Sequence, residues 1–470
     1  MEKTEIRLPD RLSRRKFLKR ICGGLISGGL TSFPFGIGCR SKPPLRFEKP
    51  NIILITLDTT RADRLGCYGY NRVTSPWIDR LANESIIYTR AIAPSSWTFP
   101  SHASLFTGKF PSSHGAQYAP DGPFVLIDTI KAPASWKDKF RARGMGMKER
   151  TLAEILKNAG YTTGAVVAGP WLKKVFGLHK GFDYYNDDYI TVINGKRASR
   201  VTSQALHWLN QVSQEKFFLF LNYFDPHYPY GPPGEFAYAF LPKDSMPLNR
   251  KKTTEEISDL YDAEILYMDL YIGKLIDNLK LLGLYDSTWI IVTADHGELI
   301  GEHGKIGHGR YLYHKELHIP LIIKYPGTEY RHREDDARLQ LTDIFPMILN
   351  RLGIPIPADT QGSVPPKITH PIFAEVYPPP ALTRYGDWRA LYSGKFKFIW
   401  NSRGNNLLFN LDDDPAELVN LTGQHPDRAK KMESAMNEFI ATLPEPGPPR
   451  PIQKIDEETK EALKSLGYVK

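Results

Sequence analysis

Thr98 opens the segment TFPSHASLFTG (98–108), and three aspartates, Asp58, Asp225 and Asp295, each follow a short apolar run. These residue types can do ester chemistry: a hydroxyl to attack, carboxylates to hold a cation, imidazoles to move protons. Pro100 stands where a helix can start, and 101–107 carries no breaker before Gly108. A hydroxyl there meets free N–H groups and the positive end of a helix dipole. Two readings fit Thr98: an ordinary helix cap, or a nucleophile placed where negative charge is favoured.

Asp58, Asp295 and His296 supply two carboxylates and an imidazole from the ends of two runs. This mixed oxygen and nitrogen set favours Zn²⁺ or Mn²⁺ over the all-oxygen surroundings of Ca²⁺, with Ca²⁺ still open. A divalent ion held there would also reach the Thr98 oxygen and lower its pKa. A second set comes from DPHYPY (225–230), with Asp225 and His227, and from GEHGKIGHG (301–309), with His303, Lys305 and His308. Imidazoles in that set can donate to an anionic substrate, protonate a leaving group, or hold a second metal. The glycines let backbone approach a ligand closely.

The elements that must position these residues are legible as well. NIILITL (51–57), TTGAVVAG (162–169), FFLFLNYF (217–224), WIIVTA (289–294) and IPLIIKYPG (319–327) read as buried parallel strands. Between them, TLAEILKNAG (151–160) has a capping box, Thr151 with Glu154, and a Gly160 stop. Residues 253–282 predict a long helix that also opens T-x-x-E. Alternating strands and helices predict an α/β fold with a doubly wound sheet, its site at the C-terminal ends of the strands. Residues 121–150 interrupt the pattern as a loop insertion. The main domain is expected over 50–353 and a Pro-rich linker over 354–381. A smaller C-terminal α+β subdomain follows over 382–470, with strands at FKFIW and NLLFNL and a helix over 426–443.

Composition narrows the partners. The chain has 470 residues, 41% of them hydrophobic, and a net charge of +9. The mean hydropathy of −0.37 reads as a soluble globular protein. Residues 1–50 contain 12 Lys+Arg and 4 Asp+Glu, a net +8, so the remaining chain carries only +1. A nearly neutral body argues against nucleic acid. The basic segment SRRKFLKR (13–20), before a Gly-rich apolar run too short for a good membrane span, resembles a twin-arginine export signal over 1–39. Cys39 resembles a lipoprotein acylation site, with Gly36 where Leu is usual, and 40–49 reads as a linker. The expected location is the periplasm or cell envelope, with a lipid anchor if Cys39 is acylated. Three cysteines in all provide no disulfide framework.

NIILITLDTTRADRLGCYGY, TFPSHASLFTG, TADHGELIGEHG and FNLDDDPAELVNL, in this order, resemble the sulfatase family of the alkaline phosphatase superfamily. The resemblance implies an alkaline-phosphatase-like fold, a divalent metal and an anionic sulfate or phosphate ester as substrate. It places the first metal-binding aspartate on Asp58 and the later metal pair on Asp295 and His296. The family's second aspartate falls on Thr59, a weaker ligand. The nucleophile position of C/S-x-P-S/A-R falls on Thr98 and its Arg on His102. The family's substrate-binding Lys falls on His308, and its G-K-W-H segment is not recognisable near AGPWLKK (168–174). Family members oxidise the motif Cys or Ser to formylglycine. Thr98 cannot form that aldehyde, because its Cβ carries a methyl group.

The expected roles are therefore as follows. Asp58, Thr98, Asp295 and His296 hold metal; Thr98, His227 and His308 are catalytic; His102, Asp225 and Lys305 bind substrate. The leading expectation is a hydrolase of sulfate or phosphate esters. Two alternatives stay open: an envelope phosphodiesterase or phosphotransferase, and an inactive binder of sulfated or phosphorylated glycan.

Overall fold

Five neighbouring strands run parallel from the centre to one edge of an eight-stranded sheet. Asn51–Leu57 pairs with Phe217–Tyr223 on one side and Thr288–Thr293 on the other, so that Ile52 lies opposite both Phe218 and Trp289. Thr162–Val166 and Tyr184–Asn186 extend the parallel set. All seven residues of Asn51–Leu57 are buried, which explains an apolar run without alternation. The computed structural model describes residues 49–118, 124–125, 141–190, 195–242, 251–327, 332–378, 384–448, 457 and 461. The segment expected to be an export signal, Cys39 and most of the expected 121–150 insertion fall outside the described residues.

One strand departs from expectation. Leu321–Lys324 is antiparallel to both Thr288–Thr293 and Ile86–Tyr88. The chain after Thr293 returns through a small hairpin, Leu299–Ile300 with Ile306–Gly307, and the four-residue helix His314–Leu317. With no crossover helix in between, the next strand arrives in the opposite direction.

Both anticipated capping boxes form, at Thr151 with Glu154 and at Thr253 with Glu256. The helix Thr254–Leu281 packs on Ala198–Val212 and Pro76–Ala82. Its buried Asp269 accepts hydrogen bonds from Trp77 N–H and Ile78 N–H at 2.9 and 2.8 Å, filling the open N-terminus of Pro76–Ala82.

The C-terminal subdomain is a four-stranded antiparallel sheet, Ile372–Val376, Trp388–Ser393, Phe396–Asn401 and Leu407–Asn410, covered by the helix Pro426–Thr442. Its first strand lies inside the stretch read as a linker. The strand is short and flanked by prolines, yet all five residues are buried. Phe110 of the large domain sits in the subdomain core with Phe373, Phe398 and Met436.

Gly164 in the central sheet has Trp208 against it, and an added Cβ would lie 2.6 Å from the indole ring. Gly164→Ala should therefore cost about 1–3 kcal/mol of stability through overpacking. Urea denaturation followed by intrinsic fluorescence reads this as a lower midpoint.

Candidate metal and nucleophile site

Because Asn51–Leu57 and Thr288–Thr293 are parallel neighbours, the residues just past their ends, Asp58 and Asp295, emerge at the same sheet edge. Ligand atoms of Asp58, Asp295 and His296 lie within 4.8 Å of one another, and all three residues are fully buried. Asp295 Oδ1 accepts from the N–H groups of Thr59 and His296, at 3.2 and 3.0 Å. Its Oδ2 and both oxygens of Asp58 have no hydrogen-bond partner among the described residues.

The imidazole completes the cluster. His296 Nδ1 lies 2.9 Å from the Gly297 carbonyl, which can only accept, so Nδ1 carries the proton and Nε2 presents a lone pair. That Nε2 is 3.3 Å from Asp295 Oδ2 and 3.3 Å from Thr98 Oγ1. Two acceptors face each other in a buried space, an arrangement that a cation relieves. Burial raises the pKa of Asp58, helped by the charge of Asp295, and raises that of Asp295 to about 6. Burial also holds His296 well below its usual value, as a neutral ligand must be. The donor set fits a divalent ion such as Zn²⁺ or Mn²⁺.

Thr98 does not cap its helix. Trp97 occupies the extended N-cap position, and Thr98 is the first residue of Thr98–Thr107. Its hydroxyl turns to the cluster. The segment before it is braced by the subdomain: Ser95 Oγ donates to Glu375 O at 2.8 Å, and Glu375 N–H donates to Pro94 O at 3.0 Å.

The other expected residues divide. The His308 ring lies tilted beside His296, with ring centroids 4.5 Å apart, and the His227 ring lies edge-on to it at 4.9 Å. His227 Nδ1 donates to Tyr228 O at 2.5 Å, and His308 Nδ1 lies 2.8 Å from Glu298 Oε1. Burial lowers both imidazoles to about 3, so at neutral pH each is uncharged with a lone pair at Nε2. They accept protons rather than donate to an anion.

Two of the three expected substrate contacts, His102 and Asp225, are corrected. His102 is fully buried, one helical turn after Thr98. Its Nδ1 donates to Thr98 O at 2.9 Å, and its Nε2 accepts from Thr56 Oγ1 at 3.0 Å. No ring nitrogen remains for substrate, and its Nδ1 lies 3.6 Å from Asp295 Oδ2 as a brace. Asp225 accepts from Ala198 N–H at 2.9 Å, so its carboxylate is spent on the start of the helix Ala198–Val212. Lys305 lies in the hairpin with its ammonium 4.5 Å over Tyr311.

Thr59 also turns away. Its hydroxyl lies 2.7 Å from the carbonyls of Asp58 and Pro226, and its φ of 55° is strained for a β-branched residue. That backbone delivers the N–H that holds Asp295. The residue overlooked in the sequence is Glu298. It is fully buried, orients His308, and is pushed up to about 7 by burial. An acidic residue two positions after His296, in the same loop, was its available signal.

Residues 50–354 match the family described as Sulfatase, and 301–444 match that described as N-sulphoglucosamine sulphohydrolase, C-terminal. The chain is 24% identical over 444 residues to an ulvan-active sulfatase of Formosa agariphila, covering 84% of this chain and 80% of that protein. It is 23% identical over 514 residues to an N-acetylglucosamine-6-O-sulfatase of Bacteroides thetaiotaomicron, covering 85% and 87%. Among solved structures, a phosphonate monoester hydrolase of Agrobacterium radiobacter superposes with a TM-score of 0.69 at 19% identity, over 84% of this chain and 96% of that one. A protein in complex with its substrate D-glucosamine-2-N,6-O-disulfate gives 0.67 at 19% identity, over 84% and 99%. At these identities the structural likeness is one of fold.

A metal at this site predicts linked effects of chelation and pH. With its pKa raised to about 6, Asp295 binds protons in the folded state that it releases when unfolded, near 3.8. Metal-free protein should lose stability as pH rises from about 4 through 6. Metal binding needs the ionised carboxylates, so the cation should stabilise most above that range. Thermal melts with and without chelator should diverge at pH 7.5 and converge at pH 4.5; equal melts at pH 7.5 would speak against a bound ion.

Proposed function

The chain belongs to the sulfatase family and is a hydrolase of sulfuric or phosphoric ester bonds; from that premise we propose that it uses Thr98 as nucleophile beside a divalent cation. Asp58, Asp295, His296 and the Thr98 oxygen would hold the ion. When bound, the ion lowers the pKa of a coordinated hydroxyl and offsets the charge of an anionic ester. The observation that carries this reading is the Thr98 hydroxyl 3.3 Å from His296 Nε2, at the edge of a buried cluster with orphaned carboxylate oxygens.

The chain's own groups and water account for the proton balance. Thr98 Oγ1 attacks the phosphorus or sulfur, and the bond to the leaving oxygen breaks. The Thr98 proton is released through water, the leaving oxygen on the opposite side of the reacting atom takes one from water, and the neutral imidazole of His308, held by Glu298, relays between water and these oxygens. Water then attacks the threonyl ester, and its proton returns by the same imidazole to the Thr98 oxygen. His227 stands beside His308 and supports the same transfer.

Phosphoryl esters suit this chemistry better than sulfate esters, because a threonyl ester is resolved by water without an aldehyde. The second reading, sulfate esters, is favoured by the family match and by the sulfatases among the relatives. Thr98→Ala should reduce turnover on the order of 10³-fold or more. A panel of aryl sulfate, phosphodiester and phosphonate esters, with mass spectrometry of the quenched Thr98 peptide, separates the readings. Sulfate turnover that survives in Thr98→Ala would overturn the nucleophile assignment.

The S-R-R-x-F-L-K motif supports export by the twin-arginine route to the periplasm or envelope. Replacing Arg14 and Arg15 by Lys should retain the precursor in the cytoplasm, as read by fractionation and immunoblot.

A further inference from the structure

Arg61 stands three residues after Asp58, and it is buried at 3% exposure. Its side chain runs against the loop that carries His296 and Glu298, so closely that a Cβ on Gly297 would lie 3.2 Å from Arg61 Cγ. Nε and Nη2 donate to the two oxygens of Asp63, at 2.8 and 2.9 Å. Nη1 donates to Glu302 Oε1 at 2.6 Å and to the Glu298 carbonyl at 3.2 Å. Lys315 Nζ lies 2.6 Å from Asp63 Oδ2, which brings the set to two positive and two negative charges.

Two parts of the site meet in this guanidinium. On one side, the Arg61 N–H donates to the Tyr261 hydroxyl at 3.0 Å, and that hydroxyl donates to Thr59 O at 2.8 Å. Arg61 is thereby tied to the strained turn that holds Asp295. On the other side, Glu302 Oε2 accepts the Ile300 N–H at 2.7 Å. Ile300 pairs with Ile306, and Leu299 with Gly307, the residue before His308. The Glu298 whose carbonyl Arg61 holds is also the residue whose carboxylate orients His308 Nδ1, at 2.8 Å. One side chain therefore fixes the surroundings of His308 at two points, the Glu298 backbone and the hairpin turn.

Burial raises the pKa of Glu302, but the Arg61 charge outweighs it and holds the carboxyl below its usual value, so the pair is ionised at neutral pH. Desolvating such a pair costs about as much as its attraction supplies, so stability is a weak account of its presence. Geometry is a stronger one. A rigid planar guanidinium can fix four acceptor atoms on three residues at once, which an ammonium cannot.

We propose that Arg61 is a positioning residue for the proton relay: through Glu302 and the Glu298 carbonyl it sets the place of His308 relative to Thr98. The effect on turnover rests on the relay role of His308 given above; the hold on the hairpin does not.

The test compares the full chain with Arg61→Lys, Glu302→Gln and the double variant. Glu302 is 29% exposed, so Glu302→Gln serves as the folded test should Arg61→Lys fail to fold. The ester is whichever of p-nitrophenyl sulfate, bis(p-nitrophenyl) phosphate and p-nitrophenyl phenylphosphonate the unmodified protein turns over fastest. Each single variant should lower kcat about ten-fold or more and leave KM within about two-fold. The double variant should be no slower than the slower single one, because both substitutions break the same contact. Zn²⁺ affinity, titrated against a competing chelator, should stay within about two-fold, since the ligand set is intact. Amide hydrogen exchange at 299–307 should speed up about ten-fold or more, with 51–57 unchanged.

Unchanged kcat in the folded variants, a loss of Zn²⁺ affinity as large as the loss of kcat, or unchanged exchange at 299–307 would overturn the positioning role. Failure of the unmodified protein to turn over any of the three esters would count against the hydrolase reading instead, and exchange would still decide whether Arg61 holds the hairpin.

Discussion

Two ionisable carboxylates, Asp58 and Asp295, stand side by side in the protein interior, and three of their four oxygens have no hydrogen-bond partner among the described residues. A buried anion without a partner is among the costliest features a fold can carry. The arrangement follows from strand direction. Parallel neighbours end at the same edge, so a carboxylate after each strand meets the other. Thr59 tightens the pairing at the expense of a left-handed backbone conformation, and Gly297 lets the following loop turn in, since a Cβ there would lie 2.1 Å from Lys315 O. A fold that adds strain to bring anions together has a use for the charge they concentrate.

The second dependence is mechanical. Thr98 is only useful if its hydroxyl is held against the cluster, and the hold comes largely from elsewhere in the chain. The edge of the C-terminal sheet grips Pro94 and Ser95 through Glu375, and Phe110 locks the far end of the same segment into the subdomain core. Beneath, Asn222, Thr56, His102 and the Thr98 carbonyl form one hydrogen-bonded chain. The small subdomain thereby acts as a clamp on the segment that carries Thr98.

Much of this was legible in the sequence, for identifiable reasons. Continuous apolar runs mark buried parallel strands, and a polar residue at the end of such a run marks the site edge, so Asp58 and Asp295 stood out. His296 followed from adjacency. Asp225 met the same criterion but serves a helix start, because the neighbour that faces it, Ala198, is remote in sequence. His102 was misread because its partner lies one helical turn away, a relation that linear motif matching ignores. The direction of Leu321–Lys324 depended on the connection before it, which carries no crossover helix. Glu298 was passed over because its role exists only relative to His308, which the hairpin brings back to it.

The central claim is that one cation joins Asp58, Asp295, His296 and the Thr98 hydroxyl. Anomalous diffraction at the metal edge, from crystals grown with Zn²⁺ or Mn²⁺, addresses it most directly. The account predicts a peak with Asp58, Thr98 Oγ1, Asp295 and His296 Nε2 all within about 2.0–2.6 Å of it. An ion bound elsewhere, or one at the carboxylates with the Thr98 oxygen turned away from it, would contradict the account.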